Sequence, residues 1–347
     1  MNLYELLRQD PEIWDLFIRK EEYDNPQRDR YDRFPYYVSK NRDVFEPKAS
    51  HYLVDNGFTI QYHDNAPFAV CLTHDIDSVY TPSPTKGLSA LRSIKQGKLT
   101  ESLHSIVQMR SKKMPLCNFS AIMNLEEKYG AKSAFFFMVE SLSEQDYSYN
   151  IEDLEYEIGE IIDRGWEVGL HGGHTSYNNA KAMWEKRERL EKVTHKPVTG
   201  YRNHYLRFKV PDTWECLSKA GFQYDTTFGY ADCSGFRNGM CHPFRPFNID
   251  TNQEMDILEI PLIIMDKTLD QTYMRLDEMS KWEFVKLLID RVAACHGVFT
   301  LLWHNTYMEG VNLELYEKIL AYCHDKRAWM TSGEDIAGFF SGPEGSL

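Results

Sequence analysis

Residues 68–77 read Phe68-Ala69-Val70-Cys71-Leu72-Thr73-His74-Asp75-Ile76-Asp77, five apolar residues running directly into a polar cluster with two carboxylates. A short unbroken apolar run of this kind reads as a strand buried on both faces. The same signature returns further along the chain. The segment 166–170 (WEVGL) runs into His171-Gly172-Gly173-His174-Thr175. Residues 198–201 (VTGY) run into Arg202-Asn203-His204-Tyr205, and 298–303 (VFTLLW) into His304-Asn305. Further strands are expected at 134–139, 257–260 and 328–331.

Amphipathic stretches separate these runs. The spacing predicts helices near 116–129, 152–164, 179–193, 211–220, 280–295, 312–324 and from about 332, with Gly165 and Gly221 as C-terminal stops. A long insertion lies between the first strand and the helix near 116. Strand alternating with helix implies an α/β fold of parallel strands joined by helical crossovers. In such folds ligand sites lie at the carboxyl ends of the strands. The polar clusters above would then share one rim.

Outside this region the pattern is different. Residues 1–22 look helical, with Leu3, Leu6, Leu7, Ile13, Trp14, Phe17 and Ile18, and Asp10-Pro11 resembles an N-cap followed by proline. Residues 23–66 are rich in Tyr, Asp, Arg and Pro and show no period. The expected division is an N-terminal helical and irregular extension over 1–66 and a main domain over 67–347.

Composition narrows the classes. A net charge of −13 disfavours a protein that grips nucleic acid or anionic lipid by bulk electrostatics. No run reaches the ~20 apolar residues of a membrane span. With no secretory pattern at the start, the expected location is cytoplasmic. The seven cysteines are scattered without a C-x-x-C pair, which suits reduced thiols packed in a core.

Singly, each rim residue has an ordinary structural reading. Asp75 and Asp77 suit a turn or a helix cap, His171 a glycine turn, Arg202 an ion pair, and His304 a satisfied core histidine. Their shared position at strand ends points to function. Carboxylate oxygen and imidazole nitrogen together suit a divalent metal, zinc first. Such a metal polarises a carbonyl and activates water. A second carboxylate and an opposed histidine supply general base and general acid.

At this point the sequence resembles the polysaccharide deacetylase family, the NodB homology domain, over about 67–340, as a divergent member. Thr73-His74-Asp75-Ile76-Asp77 resembles the first motif, Glu167–His171 the approach to the second, and Gly200-Tyr201-Arg202 the third. Residues 221–227 resemble the stretch before the fourth motif, and Leu301-Leu302-Trp303-His304 the fifth. The resemblance implies an irregular, incomplete (β/α) barrel and hydrolysis of an acetyl group, N-acetyl before O-acetyl, on a sugar or glycan precursor. It implies Asp75 as general base, Arg202 as its orienting partner and His304 as general acid. Asp77 and His171 would be metal ligands. Tyr205 takes the place whose backbone N–H binds the oxyanion, with His204 and Trp303 beside it on the substrate side.

Two departures from the family pattern stand out. The usual second histidine of the second motif is Thr175, so the expected third ligand is His174, or else Thr175 or water. His204 replaces a proline and could also reach the metal. Separately, the loop 235–247 (GFRNGMCHPFRPF) carries Arg237, His242 and Arg245, read either as a structural closure of the rim or as a grip on phosphate or carboxylate. Two further functions remain open. One is a non-catalytic module of the same fold that binds a glycan or protein, and the other is a hydrolase of non-sugar amides.

Overall fold

The computed structural model describes residues 3–80, 114, 116–141, 144–145, 147, 149–174 and 176–342. Most of the expected insertion, and Thr175, lie outside the described residues.

The apolar runs form the middle of one parallel sheet. Its strands are β1 (Ala69–Ile76), β2 (Ala134–Phe137), β3 (Glu167–Gly172), β4 (Gly200–Asn203) and β5 (Tyr224–Asp225). A small antiparallel hairpin of β6 (Phe247–Asn248) and β7 (Gln253–Glu254) stands apart. The sheet continues with β8 (Leu258–Glu259), β9 (Ile264–Met265), β10 (Val298–Leu302) and β11 (Trp329–Thr331). The order is β8-β5-β4-β3-β2-β1-β10-β9, with β11 beside the first half of β1. All its pairs are parallel, and the end strands β8 and β9 are not neighbours. This is an incomplete (β/α) barrel, as expected.

Side-chain alternation decides what each strand offers to each face. Along β1, Val70 and Leu72 join one helix-covered core, while Ala69 and Cys71 join the inner cluster with Ala134, Phe136, Tyr224 and Val298. The helix Gly333–Ser341 packs Ile336, Phe339 and Phe340 against that inner face. On β3, Val168 and Leu170 face the helices, which turns Glu167, Gly169 and His171 inward. Gly169 is required there, because a Cβ would come within 2.4 Å of the Phe136 ring.

Crossover helices cover the outside, among them Phe119–Glu127, Glu155–Asp163, Ala180–Thr194, Asp212–Ala220, Glu278–Ala294 and Gly310–Asp325. Gly165 and Gly221 both take φ of 81° after their helices, as left-handed C-terminal stops do. All seven cysteines are free, and five are buried.

The N-terminal region departs from expectation. Residues 3–24 break into three short helices, Leu3–Leu7, Pro11–Phe17 and Lys20–Asp24. The second starts as its sequence suggested, with Asp10 Oδ1 accepting from the backbone of Glu12 and Ile13. Residues 23–66, read as irregular, contain the helix Lys48–Asp55, whose Ala49, Ser50 and Leu53 are buried. Leu7, Phe17 and Ile18 share a core with Trp214, Phe228 and Phe244 of the barrel. No helix among the described residues is long and apolar enough to cross a membrane.

Candidate active site

The inner face carries its polar groups at the carboxyl ends of the central strands. Asp75 continues the inward series Ala69, Cys71, Thr73, and Asp77 follows one residue past β1. His171 and Arg202 are register partners across β3 and β4. Asp75, Asp77, His171, His204 and His304 line one cavity of about 230 Å³. Tyr31, Arg33, Tyr205, Lys267, Tyr273 and Tyr307 form its walls.

Three ligand atoms meet in this cavity. Asp77 Oδ1 lies 3.5 Å from His171 Nε2 and 3.6 Å from His204 Nδ1, and the two nitrogens are 3.1 Å apart. Donors bound about 2.1 Å from a tetrahedral ion stand roughly 3.4 Å from one another. Asp77 Oδ1 is also buried with no hydrogen-bond partner among the described residues. His171 Nδ1 lies 3.0 Å from the Arg202 carbonyl, which can only accept, so Nδ1 holds the proton and, in the neutral ring, Nε2 offers its lone pair. Asp77, His171 and His204 are thus a group that could hold a metal ion. Burial alone would push the Asp77 carboxyl up, but His304, His171, Lys267 and His204 outweigh it and hold it well below the usual range. Burial acts to lower the His171 imidazole, and Asp75 and Asp77 raise it above its ordinary value.

Two further pairs flank this group. Asp75, 2% exposed, places Oδ2 3.6 Å from His171 Nε2 and Oδ1 3.8 Å from Arg202 Nη1. Arg202 is anchored from behind, with Nη2 donating to the Thr73 and Thr226 hydroxyls at 2.9 and 3.3 Å. On the other side His304 Nδ1 donates to Asp266 Oδ1 at 2.7 Å, and the His304 backbone N–H donates to Asp266 Oδ2. His304 Nε2 therefore faces the cavity, 3.5 Å from Asp77 Oδ2. Lys267 Nζ donates to that same oxygen at 2.8 Å.

The structure thus brings Asp75, Asp77, His171, Arg202, His204 and His304 together. His174 does not join the ligand group. His171 lies in β3 and His174 in a turn, and the next helix among the described residues begins at Ala180, so residues 171 and 174 share no helix face. His174 instead packs edge-on against Tyr205. The imidazole that joins Asp77 and His171 comes from the next strand end, at His204. Trp303 is also displaced from the substrate side. Its neighbour His304 points inward, so alternation sends the indole outward, where it is 1% exposed and packs against Tyr316. Tyr205 lines the cavity.

The loop 235–247 is structural. Arg237 is bound to buried Glu22, His242 lies between the Ser50 hydroxyl and the Cys295 carbonyl, and Arg245 pairs with Asp256. Sequence reading missed Asp266 and Lys267. The apolar run 260–265 (IPLIIM) ending in Asp266-Lys267 carries the signature used for the other strand ends. Tyr31 and Arg33 left no such signal.

No family model and no curated protein matches the sequence. Among solved structures, the chain is similar to a Mycobacterium smegmatis protein assigned to the polysaccharide deacetylases. The two are 15% identical over 80% of this chain and 92% of that one, with a TM-score of 0.53. Looser likenesses are to a CE4 family pseudoenzyme from Bacillus anthracis (12% identity, 79% and 66% covered, TM-score 0.41) and to the peptidoglycan deacetylase PdaC from Bacillus subtilis (13%, 79% and 92%, 0.35). These two superpositions add nothing to the first. With its open sheet of parallel strands and its inner rim of carboxylates and imidazoles, the chain shares the incomplete (β/α) barrel fold of the polysaccharide deacetylases.

Proposed function

We propose that this protein is a metal-dependent hydrolase that removes an acetyl group, most simply from nitrogen, on a carbohydrate or glycan precursor. One observation carries the reading. A buried carboxylate oxygen with no hydrogen-bond partner among the described residues faces two imidazole nitrogens at ligand spacing, with a second carboxylate on one side and a histidine on the other. Asp77, His171 and His204 are the residues to hold the ion. One carboxylate oxygen and two imidazole nitrogens with an open position suit zinc. A bound divalent ion supplies Lewis acidity and lowers the pKa of water.

The remaining roles belong to the chain. Asp75 takes the proton of the attacking water, and Arg202 and His171 keep its carboxylate aimed. Tyr205 offers its backbone N–H to the oxyanion from the wall of the cavity. His304 delivers a proton from Nε2 to the departing nitrogen. Asp266 holds the ring so that Nε2, not Nδ1, meets the substrate. His204, expected on the substrate side, is assigned here as a ligand.

A second reading has a specific observation in its favour. The Lys267 ammonium already meets one oxygen of Asp77, as it would in a metal-free binding module. Two measurements separate the readings: the metal content of protein purified without chelator, and acetate release from N-acetylated oligosaccharides. Stoichiometric divalent metal and turnover that stops in Asp75→Asn support the hydrolase. Protein that takes up no added zinc ends that reading.

A further inference from the structure

The loop that presents His204 is held by the N-terminal extension as well as by the barrel. Residues His204–Leu206 form one 3-10 turn in which Tyr205 and Leu206 take φ of 60° and 53°. Left-handed backbone is unfavourable for residues with a Cβ, and it persists where surrounding contacts over-determine it. The barrel supplies some of those contacts, Leu206 packing with Leu262 and Met265, and the N-terminal extension supplies others. Arg33 Nη1 donates to the Tyr205 carbonyl at 2.7 Å. The Tyr31 ring stacks on Tyr205, with centroids 4.5 Å apart and planes 16° apart. Arg207, just past the turn, returns a hydrogen bond to the Tyr31 carbonyl at 2.9 Å.

The extension's side of this contact is tied together by its own hydrogen bonds. Asp29 Oδ1 accepts from the backbone of Tyr31 and Arg33 at 2.9 and 3.1 Å, closing a tight turn. Asp29 Oδ2 takes Arg33 Nε at 2.8 Å and Nη2 at 2.7 Å. The guanidinium is thus locked on one edge, with Nη1 left to reach the loop. Arg33 is only 8% exposed, and Tyr31 and Arg33 both line the cavity.

We infer that the turn 29–33 is a working part of the site, with Arg33 as a positioning residue that sets His204 through the Tyr205 backbone. This rests on the metal-site reading above. It gives the extension a role that neither its composition nor the barrel assigns. A partner that orients a ligand typically changes metal affinity 10–100-fold when removed.

The test is zinc affinity of the full chain, by competition with a chromophoric chelator, in Arg33→Ala, Arg33→Lys and the exposed control Arg42→Ala. Arg33→Ala is expected to bind zinc at least about tenfold more weakly. Arg33→Lys should fall between it and the native protein, and Arg42→Ala should be unchanged. Native-like affinity in Arg33→Ala overturns the inference, as does an equal loss in Arg42→Ala. If Arg33→Ala fails to fold, Arg33→Lys decides, and undiminished affinity there overturns it. If the native chain binds no zinc, the metal reading fails by itself. Amide exchange of residues 203–207 then decides the clamp: faster exchange in Arg33→Ala supports it, and equal exchange overturns it.

Discussion

Two of the clusters of buried charge among the described residues are built on opposite principles. In the first, Arg19, Glu22 and Arg237 tie the N-terminal helices to the barrel. Glu22 accepts from Arg19 Nε at 2.7 Å and from Arg237 Nε and Nη2 at 3.0 and 2.5 Å. The remaining guanidinium nitrogens reach the Arg237 and Gly229 carbonyls, Glu21 and Tyr230. In the second cluster, at the strand ends, Asp75 Oδ1, Asp77 Oδ1 and Arg202 Nε and Nη1 have no hydrogen-bond partner among the described residues. A buried polar group left unpaired costs about 1–3 kcal/mol. The saturated cluster joins two parts of the chain, whereas the unsaturated one leaves buried polar atoms without partners among the described residues.

This contrast predicts opposite responses to substitution. The largest effect is expected at the rim. Asp75→Asn and His304→Ala should each cut acetate release about 10²–10⁴-fold. The melting temperature of Asp75→Asn should change little, because Asp75 Oδ1 has no hydrogen-bond partner among the described residues, whereas His304→Ala strips buried Asp266 of its ring donor and should melt lower. A melting temperature that collapses in Asp75→Asn would erase the distinction between the clusters.

Next in size is Glu22→Ala, which leaves two buried guanidinium groups facing one another. Removing one partner of a buried ion pair costs about 3–5 kcal/mol, read by urea unfolding. Burial pushes the Glu22 carboxyl up, but Arg237 and Arg19 outweigh it and hold it below the usual range. Its stabilisation is therefore present above the unfolded carboxyl value and is lost as the pH falls through the folded one. Acid sensitivity in that window should flatten in Glu22→Gln.

His242 sharpens the comparison from a third place. Burial pushes its imidazole down to about 4. The unfolded chain then binds more protons between the ordinary histidine value and that one. Stability is complete above about pH 6.5 and declines toward pH 4 by roughly 3 kcal/mol. His242→Gln should remove that slope in unfolding measured across the range, and an unchanged slope would count against a buried neutral ring. The smallest effect belongs to Arg245→Ala. Its partners Glu254 and Asp256 are 44% and 94% exposed, so unfolding should shift by no more than about 1 kcal/mol.

Much of the fold was legible because apolar runs and helical periods are local properties. The strands at Ala69–Ile76, Glu167–Gly172 and Val298–Leu302 follow from runs that no solvent-facing segment would tolerate. The two-residue strands β5 and β9 are too short to show any period. Their place depends on pairing with β4 and β10. The helix Lys48–Asp55 escaped because it has only eight residues and lies in a stretch dominated by turn formers. In the site, the approach to Asp75, Asp77, His171, Arg202 and His304 was readable from strands ending in polar residues. Asp266 was missed because its strand is short, and Tyr31 and Arg33 because nothing in a chain's order says which distant loop it will touch.

The sequence by itself determined which residues reach the rim. A period of two, imposed by the pleat, sends Asp75, His171 and His304 inward and Trp303 outward once the strands are known. Tertiary structure alone decided which imidazole joins Asp77 and His171. His204, and not His174, stands beside Asp77 and His171, in a turn of left-handed backbone whose Tyr205 carbonyl accepts from Arg33. Such choices rest on contacts across 170 and more positions of the chain, such as Arg33 to Tyr205, and no local pattern of side chains encodes them.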